Sequence, residues 1–370
     1  MKPHHKSLHE AIQFYIRMIG EGPDNADSYY NLGIAFHSQG QTRKAIRCFQ
    51  KSLQINPHNI YAYSNLAIIL AQSGETDESM DTLEQALLIH KDCADLLCTR
   101  ADILLTMGQV KEAIRGFERT IELKPDSAVS YYKLGSILEK EGKLSEAMRL
   151  YLKAVHINSP ASFLPLFSDL EPDYPVLRES FEGIKGFLAG LEGYTLMRLA
   201  ERGPGTGEIV EIGSYMGKST CWMATGTQRA SREKVTAVDH FRGSSEHRDE
   251  GAHKEEILAR EGTTFNSFME NVRMMQLADY VQPVIAPSEE AVRRWGKPIR
   301  LLFIDGDHSY ESSKMDFELW SPFVAEGGCI AFHDILIWEG VTLFYNELMQ
   351  STSRYHEVLS VMSLRVIQKK

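Results

Sequence analysis

"EIVEIGSYMGKST" (residues 208–220) is the stretch whose reading decides the second half of this chain. It closes on Gly217-Lys218-Ser219, the tail of a phosphate-binding loop, G-x-x-x-x-G-K-[ST]. That pattern requires glycine at 212, where the chain has Ile212, and the first glycine, Gly213, arrives one residue late. Glu211 sits just before it, a carboxylate where phosphates would be repelled. The stretch reads as strand, tight turn and helix start. Its ligand is either a nucleotide phosphate or something cationic.

The flanking sequence supplies the sheet. Apolar runs follow at 234–239, 280–286, 299–305 and 328–334, separated by amphipathic stretches near 217–228, 263–276, 287–294 and 311–324. "YHEVLSVMSLRVIQKK" (355–370) reads as a terminal strand pair. Apolar strands alternating with helices predict a parallel sheet covered on both faces. Its ligands sit at the carboxyl ends of the strands.

The residues at those ends favour the cationic ligand. S-adenosylmethionine carries an ammonium group and no phosphate. Glu211, followed by Gly213, Ser214, Tyr215, Gly217 and Ser219, is suited to its methionine end. Asp239 closes the second strand, 22 residues after Gly217, where an acid accepts both ribose hydroxyls. His240 follows it, and Ser288 in "APSEEA" (286–291) is in reach of an adenine. A dinucleotide loop, G-x-G-x-x-G, is absent, since Tyr215 stands two residues after Gly213.

"VEIGSYMGKST", "VTAVDHF", "LLFIDGDHSYE" and "GGCIAFHDI" together resemble the class I S-adenosylmethionine-dependent methyltransferases over 193–370. They look most like the branch of antibiotic-sugar O-methyltransferases and cephalosporin-hydroxylase-like proteins. The resemblance implies a Rossmann-like α/β domain with a seven-stranded, mostly parallel sheet and an antiparallel last strand. It implies O-methylation of a sugar or secondary-metabolite hydroxyl. By position it also implies Asp305, His333 and Asp334 as ligands of a divalent metal. The better-known magnesium enzymes have an acid where this chain has His333, so Mn²⁺, Fe²⁺ or Zn²⁺ suits the set at least as well as Mg²⁺. His308, past a strand end, is the expected general base, with Asp305 beside it. Asp307 either orients His308 or fixes the turn with Gly306. The charged run 239–256, with His240, Arg242 and His247, is expected as a lid or a solvated loop.

The first half repeats with a period of 34 residues, as units 26–59, 60–93, 94–127 and 128–161. Corresponding positions hold Leu32-Gly33, Leu66-Ala67, Arg100-Ala101 and Leu134-Gly135. A small residue recurs further on (Ala45, Ser79, Ala113, Ala147), then a large one (Phe49, Leu83, Phe117, Tyr151). Small residues let paired helices approach, and the large one fills the groove beside them. In period and pattern this resembles the tetratricopeptide repeat, an all-α solenoid. The resemblance implies a peptide or protein partner on the concave face, or self-association into a homo-oligomer. Residues 7–25 read as a truncated unit that caps the array.

Four prolines in 158–176 mark a connector, with helices expected at about 177–190 and 193–202. The expected division is therefore 1–161 repeats, 162–192 connector and 193–370 catalytic domain. A net charge of −10 argues against non-specific nucleic-acid binding. Five scattered cysteines without C-x-x-C spacing read as free thiols in a reducing compartment. The start of the chain has no apolar leader, and no run is long enough to span a membrane, so a cytoplasmic protein is expected. Two competing functions remain: a scaffold that binds cofactor without turnover, and a P-loop-like NTPase.

Overall fold

Helix pairing through small residues builds the first unit, residues 1–150, of a computed structural model that describes residues 8–243 and 256–370. Its helices are α1 (Leu8–Glu21), α2 (Ala26–Ser38), α3 (Thr42–Ile55), α4 (Ile60–Gln72), α5 (Thr76–Ile89), α6 (Ala94–Thr106), α7 (Val110–Leu123) and α8 (Ala128–Lys140). A ninth, α9 (Leu144–Asn158), carries the division between units, which falls between Leu150 and Tyr151. A Cβ on Gly33 would lie 2.8 Å from the Phe49 ring, and one on Gly116 would lie 2.7 Å from the Ala101 methyl. Where the small residue is Ser79, its hydroxyl donates to the Ala67 carbonyl at 2.6 Å. The glycines that end "HSQG", "AQSG", "LTMG" and "EKEG" all take left-handed φ, from 68° to 84°, and reverse the chain between paired helices. Asn25 and Asn59 cap α2 and α4, accepting from Ser28 N at 2.9 Å and Ala62 N at 3.1 Å. Ile12 of α1 packs with Leu32, Ala35 and Cys48, so the truncated unit covers the open face of the first full repeat.

The second unit, residues 151–370, is a seven-stranded sheet in the order β3-β2-β1-β4-β5-β7-β6. The strands are β1 (Glu208–Ile212), β2 (Val235–Asp239), β3 (Val281–Ile285), β4 (Ile299–Ile304), β5 (Val324–Phe332), β6 (Tyr355–Val361) and β7 (Leu364–Lys369). The first five run parallel, and β7 is antiparallel to both β5 and β6. The expected fold class is met. The covering helices are α10 (Leu170–Phe181), α11 (Gly190–Arg202), α12 (Lys218–Ala230), α13 (Glu256–Glu261), α14 (Phe265–Met274), α15 (Ser288–Ala291), α16 (Tyr310–Trp320) and α17 (Glu339–Ser351).

One face of the sheet packs Leu302, Ile304, Ile330 and Phe332 against Phe317, Trp320 and Phe344 of α16 and α17. On α11 and α12, a Cβ at Gly193 would lie 2.4 Å from Trp222, and one at Gly226 would lie 2.2 Å from the Met197 carbonyl. Any side chain at either position would force these two helices apart. Arg300 of β4, fully buried, donates to the last carbonyls of α11, Leu199 O at 2.9 Å and Ala200 O, and pairs with Glu233. Ala200 O is among the groups that a helix terminus leaves open, while Leu199 O also accepts from Gly203 N at 2.8 Å.

Two local expectations change. The proline-rich stretch contains a helix, α10, rather than a plain connector, and it starts well before 177. Pro172 lies in its first turn, where a missing N–H costs little. Pro175 lies further in and is tolerated because Leu170 and Tyr174 are both fully buried. Tyr174 meets Tyr151 and Tyr194 edge-on, at 6.5 and 5.9 Å between centroids. The stretch near 287–294 is helical over 288–294, as the single turn α15 continued by a 3-10 turn at Val292–Arg294. Helix α17 was not anticipated at all. Among the described residues no helix is long and apolar enough to cross a membrane.

A chain beginning at Tyr151 is expected to unfold in one cooperative denaturant transition. A chain beginning at 177 loses Leu170 and Tyr174, and should be less stable by on the order of 4 kcal/mol or more, as for removal of large core side chains.

Candidate functional site

Strand register brings the site together. Gly213 N donates to Val238 O at 3.0 Å, Asp305 N to Ile212 O at 2.9 Å, Ala286 N to Asp239 O at 3.1 Å and His333 N to Ile304 O at 3.3 Å. The first residues past four neighbouring strands therefore lie on one edge. Gly213 has φ 85°, and a Cβ there would stand 2.2 Å from the Asp305 carbonyl oxygen. Only glycine lets the β1 turn pass this close to the β4 end.

Two carboxylates hold that turn. Asp239 Oδ2 accepts from Ser214 N at 2.9 Å and Tyr215 N at 2.8 Å, and its Oδ1 accepts from Phe241 N at 2.5 Å. Beneath the turn, Glu211 accepts hydroxyl bonds from Ser214 at 2.8 Å, Ser219 at 2.5 Å, and Thr220. Burial pushes the Glu211 carboxyl up to about 7, against the pull of these hydroxyls. Glu211 is 0% exposed and does not line the cavity, so the expected direct contact with a ligand ammonium is corrected to a supporting role. Gly217 likewise does not line the cavity, because it lies against Phe268.

At the β4 and β5 ends, charged groups form a chain. His333, 3% exposed, sets Nδ1 3.0 Å from Asp305 Oδ1 and Nε2 3.2 Å from Glu192 Oε2. Glu192 also accepts from Ala189 N at 3.0 Å, Ser363 N at 2.8 Å and the Ser363 hydroxyl at 2.6 Å. Burial opposes charge on His333, yet Asp305 and Glu192 raise its pKa well above the ordinary histidine value. Burial likewise opposes charge on Asp305, but His333 and His308 hold its carboxyl below the usual range. Both His333 ring nitrogens face carboxylates, so neither points free into the cavity as the expected metal ligand would. Instead, among the described residues, ligand atoms of Asp305, His308 and Asp334 lie within 4.8 Å of one another. His308 Nε2 stands 3.2 Å from Asp334 and 3.8 Å from Asp305, with its ring stacked on Trp338 at 5.2 Å and 5°. Asp334 has φ 59°, an unusual backbone for a non-glycine residue at a strand end. Asp307 accepts from Ser309 N at 2.9 Å and so fixes the turn.

The cavity over these strand ends is about 540 Å³, a size that suits a small-molecule ligand. Gly213, Ser214, Tyr215, Ser219, Asp239, His240, Ser288, Asp305, His308, His333 and Asp334 all line it. Its wall also carries Asp307, Asp316 and Glu289, against a single lysine, Lys218. The Lys218 ammonium is spent on the Gly186 carbonyl at 3.3 Å, and burial lowers its pKa. Of the lid expected over 239–256, His240 and Gly243 line the cavity, while 244–255, including His247, lie outside the described residues.

Glu192, Asp316 and the Gly186–Leu188 segment were missed from the sequence. Glu192 at the third position of α11 has the signature of half a capping box, a local role it does fill. Nothing local signals its reach to His333.

Residues 210–335 match a family described as a methyltransferase domain, and 26–59, 48–81 and 98–162 match families described as tetratricopeptide repeat. The chain thus joins tetratricopeptide repeats to a methyltransferase domain, which implies S-adenosylmethionine as its methyl donor. Among solved structures, the O-methyltransferase NovP is 17% identical, with 48% of this chain and 79% of that one covered and a TM-score of 0.40. A crystal structure of MamA is 25% identical, covering 40% and 86%, at 0.35. YrrB, a TPR protein with an unusual peptide-binding site, is 21% identical, covering 44% and 84%, at 0.33. At scores this low, these likenesses carry no weight for function.

Two outcomes test the carboxylate supports. Glu211 has a folded value of about 7 against an ordinary 4.5, so its contribution to stability is full below about 4.5 and is lost as pH rises through 7. Relative to wild type, Glu211→Gln should therefore gain about 3 kcal/mol between those limits, at 1.36 kcal/mol per pH unit. Denaturant unfolding across pH 5 to 8 would register most of that change. Glu192→Ala leaves the Nε2 side of the buried His333 imidazolium without its carboxylate and should cost about 3–5 kcal/mol by the same measurement at pH 7.

Proposed function

We propose that the second unit moves a methyl group from S-adenosylmethionine to a hydroxyl of a small acceptor, a sugar or secondary metabolite. The observation that carries this reading is the sign of the cavity wall. Its carboxylates, Asp239, Asp305, Asp307, Asp316, Asp334 and Glu289, favour a sulfonium and an ammonium and repel a triphosphate. The one lysine of the P-loop-like sequence faces a backbone carbonyl, which speaks against the NTPase reading.

When bound, S-adenosylmethionine supplies the electrophilic methyl group. The rest of the work falls to the chain. Asp239, already fixed by three backbone N–H groups, keeps one lone-pair site, on Oδ1, for a ribose hydroxyl. His308 takes the acceptor's proton, and its ring is held in one plane by Trp338. Asp334 and Asp305 stabilise the imidazolium that results. His308 and the buried His333 keep those two acids ionised despite their crowding. The repeats serve a peptide partner or self-association. A non-catalytic scaffold would use the same cavity without turnover.

A second reading draws on the same cluster. Asp305, His308 and Asp334 offer two oxygens and one nitrogen within 4.8 Å, a donor set that fits a divalent ion such as Mn²⁺, Fe²⁺ or Zn²⁺, and less readily Mg²⁺. In that reading His308 is a ligand and the ion orients the acceptor hydroxyl.

Calorimetry should show S-adenosylmethionine binding at micromolar Kd, about −8 kcal/mol. Asp239→Ala should weaken it by roughly 1.5–3 kcal/mol. Tight ATP binding that Lys218→Ala abolishes would refute the assignment. With an acceptor in hand, His308→Ala should lower turnover by about 10²–10⁴ and leave cofactor affinity intact. Activity that survives chelation supports His308 as the base; loss on chelation, restored by a divalent ion, supports the metal reading.

A further inference from the structure

Large apolar side chains exposed singly on a folded surface are ordinary; gathered around a cavity they mark a place where something packs. Among the described residues of the second unit they are gathered. Phe187 and Met315 line the cavity and are 60% and 38% exposed. Ile285, 60% exposed, directly precedes the lining residue Ala286, while Leu336 and Ile337, at 68% and 67%, follow the lining residue Asp334. The cavity is thus acidic within and apolar around its mouth. Leu336 and Ile337 stand on the side of His308, because the loop that bears them runs from Asp334 to Trp338, whose ring stacks on His308. This loop is tightly held. Ile337 N and Trp338 N both donate to Asp334 O at 3.1 Å, Leu336 N to the Thr342 hydroxyl oxygen at 2.8 Å, and Ile335 N to Ser363 O at 3.0 Å. From α17, Val341 N donates to His308 O at 3.1 Å, and a Cβ at Gly340 would stand 2.4 Å from that same oxygen. Asp334 and Leu336 both hold left-handed φ, 59° and 73°, which residues other than glycine adopt at a cost. The fold therefore bears strain to keep two aliphatic side chains out in water beside the reacting group.

A cavity of about 540 Å³ must hold the cofactor as well as the reacting hydroxyl, so the body of an acceptor lies at the mouth. The surfaces it meets there fix its chemistry. Leu336 and Ile337 offer apolar burial and no side-chain hydrogen bonds. Asp305, Asp307 and Asp334, just inside, repel an anion. A free sugar would set its hydroxyls against aliphatic side chains without partners, and a nucleotide sugar would bring phosphates to carboxylates. We infer that the acceptor is a neutral or cationic molecule with an apolar body, that this body packs on Leu336 and Ile337, and that these two side chains set acceptor specificity. The inference deepens the methyl-transfer reading proposed above and rests on it. It holds whether His308 acts as base or as metal ligand.

Three probes separate the contributions: 2-naphthyl β-D-glucoside, methyl β-D-glucoside, which lacks the apolar body, and 1-naphthyl phosphate, which keeps that body and adds an anion. Calorimetry on the full wild-type chain, saturated with S-adenosylhomocysteine, should show the naphthyl glucoside binding about 10- to 100-fold more tightly than either of the others. Leu336→Asn combined with Ile337→Ser should bring the two glucosides to within about two-fold of each other and leave S-adenosylhomocysteine affinity unchanged, asparagine being at ease in the left-handed backbone at 336. Equal binding of the two glucosides by wild type, or binding of neither, overturns the inference and leaves the cofactor reading intact; that comparison needs no variant to fold. A preference that persists in the folded double variant, or tighter binding of the phosphate, also overturns it. A wild-type dimer in sedimentation that the double variant dissociates would assign these side chains to a second copy of the chain, and overturns it too. If S-adenosylhomocysteine does not bind, the cofactor reading fails, and this inference fails with it.

Discussion

The turn after β1 is pinned from two sides by carboxylates, and the geometry of the site depends on that clamp. Asp239 takes the turn's N–H groups from the neighbouring strand, while Glu211 takes its hydroxyls from below. Gly213 makes the clamp feasible, because any side chain there would strike the β4 end. The loop's direction, the opening of the cavity and the start of α12 all follow from these contacts. Burial of Glu211 is costly, and the surrounding hydroxyls offset part of that cost by satisfying its oxygens.

A second arrangement balances the charge at the other end of the cavity. Carboxylates gathered at strand ends repel one another, and crowding of this kind normally forces one to take up a proton. His333 prevents it. As a buried cation between Glu192 and Asp305, and 3.4 Å from Asp334, it neutralises the cluster from behind and leaves His308 at the front. The acidic wall is therefore compatible with folding, and it still presents negative charge to a cationic ligand.

The repeat unit rests on plainer physics. Small residues recurring every 34 positions set how closely paired helices approach, and each Phe or Leu fills the groove beside them. Stability there is a sum over neighbouring pairs. The second unit, by contrast, draws on residues far apart in sequence, with Ser363 meeting Glu192 and Arg300 meeting Leu199.

Periodicity is a local property, and what depends on it was legible in the chain. The repeat period, the alternation of strand and helix, the antiparallel pair at the end and the acids at strand ends could all be read from spacing and residue type. Each reflects a short-range rule of backbone geometry and burial. The site's inner logic was not legible. Whether Glu211 met the ligand or the turn depended on which side of the loop its carboxylate faced. Whether His333 was a ligand or a counter-ion depended on Glu192, 141 residues away. Helix α10 hid behind its prolines because Tyr151 and Tyr194, which hold Tyr174, lie outside any local window. Residue type and spacing determined which groups come to the strand ends; only the tertiary structure decided which face the cavity and which are consumed in holding it, because hydrogen bonds and buried charges are satisfied across the fold rather than along the chain.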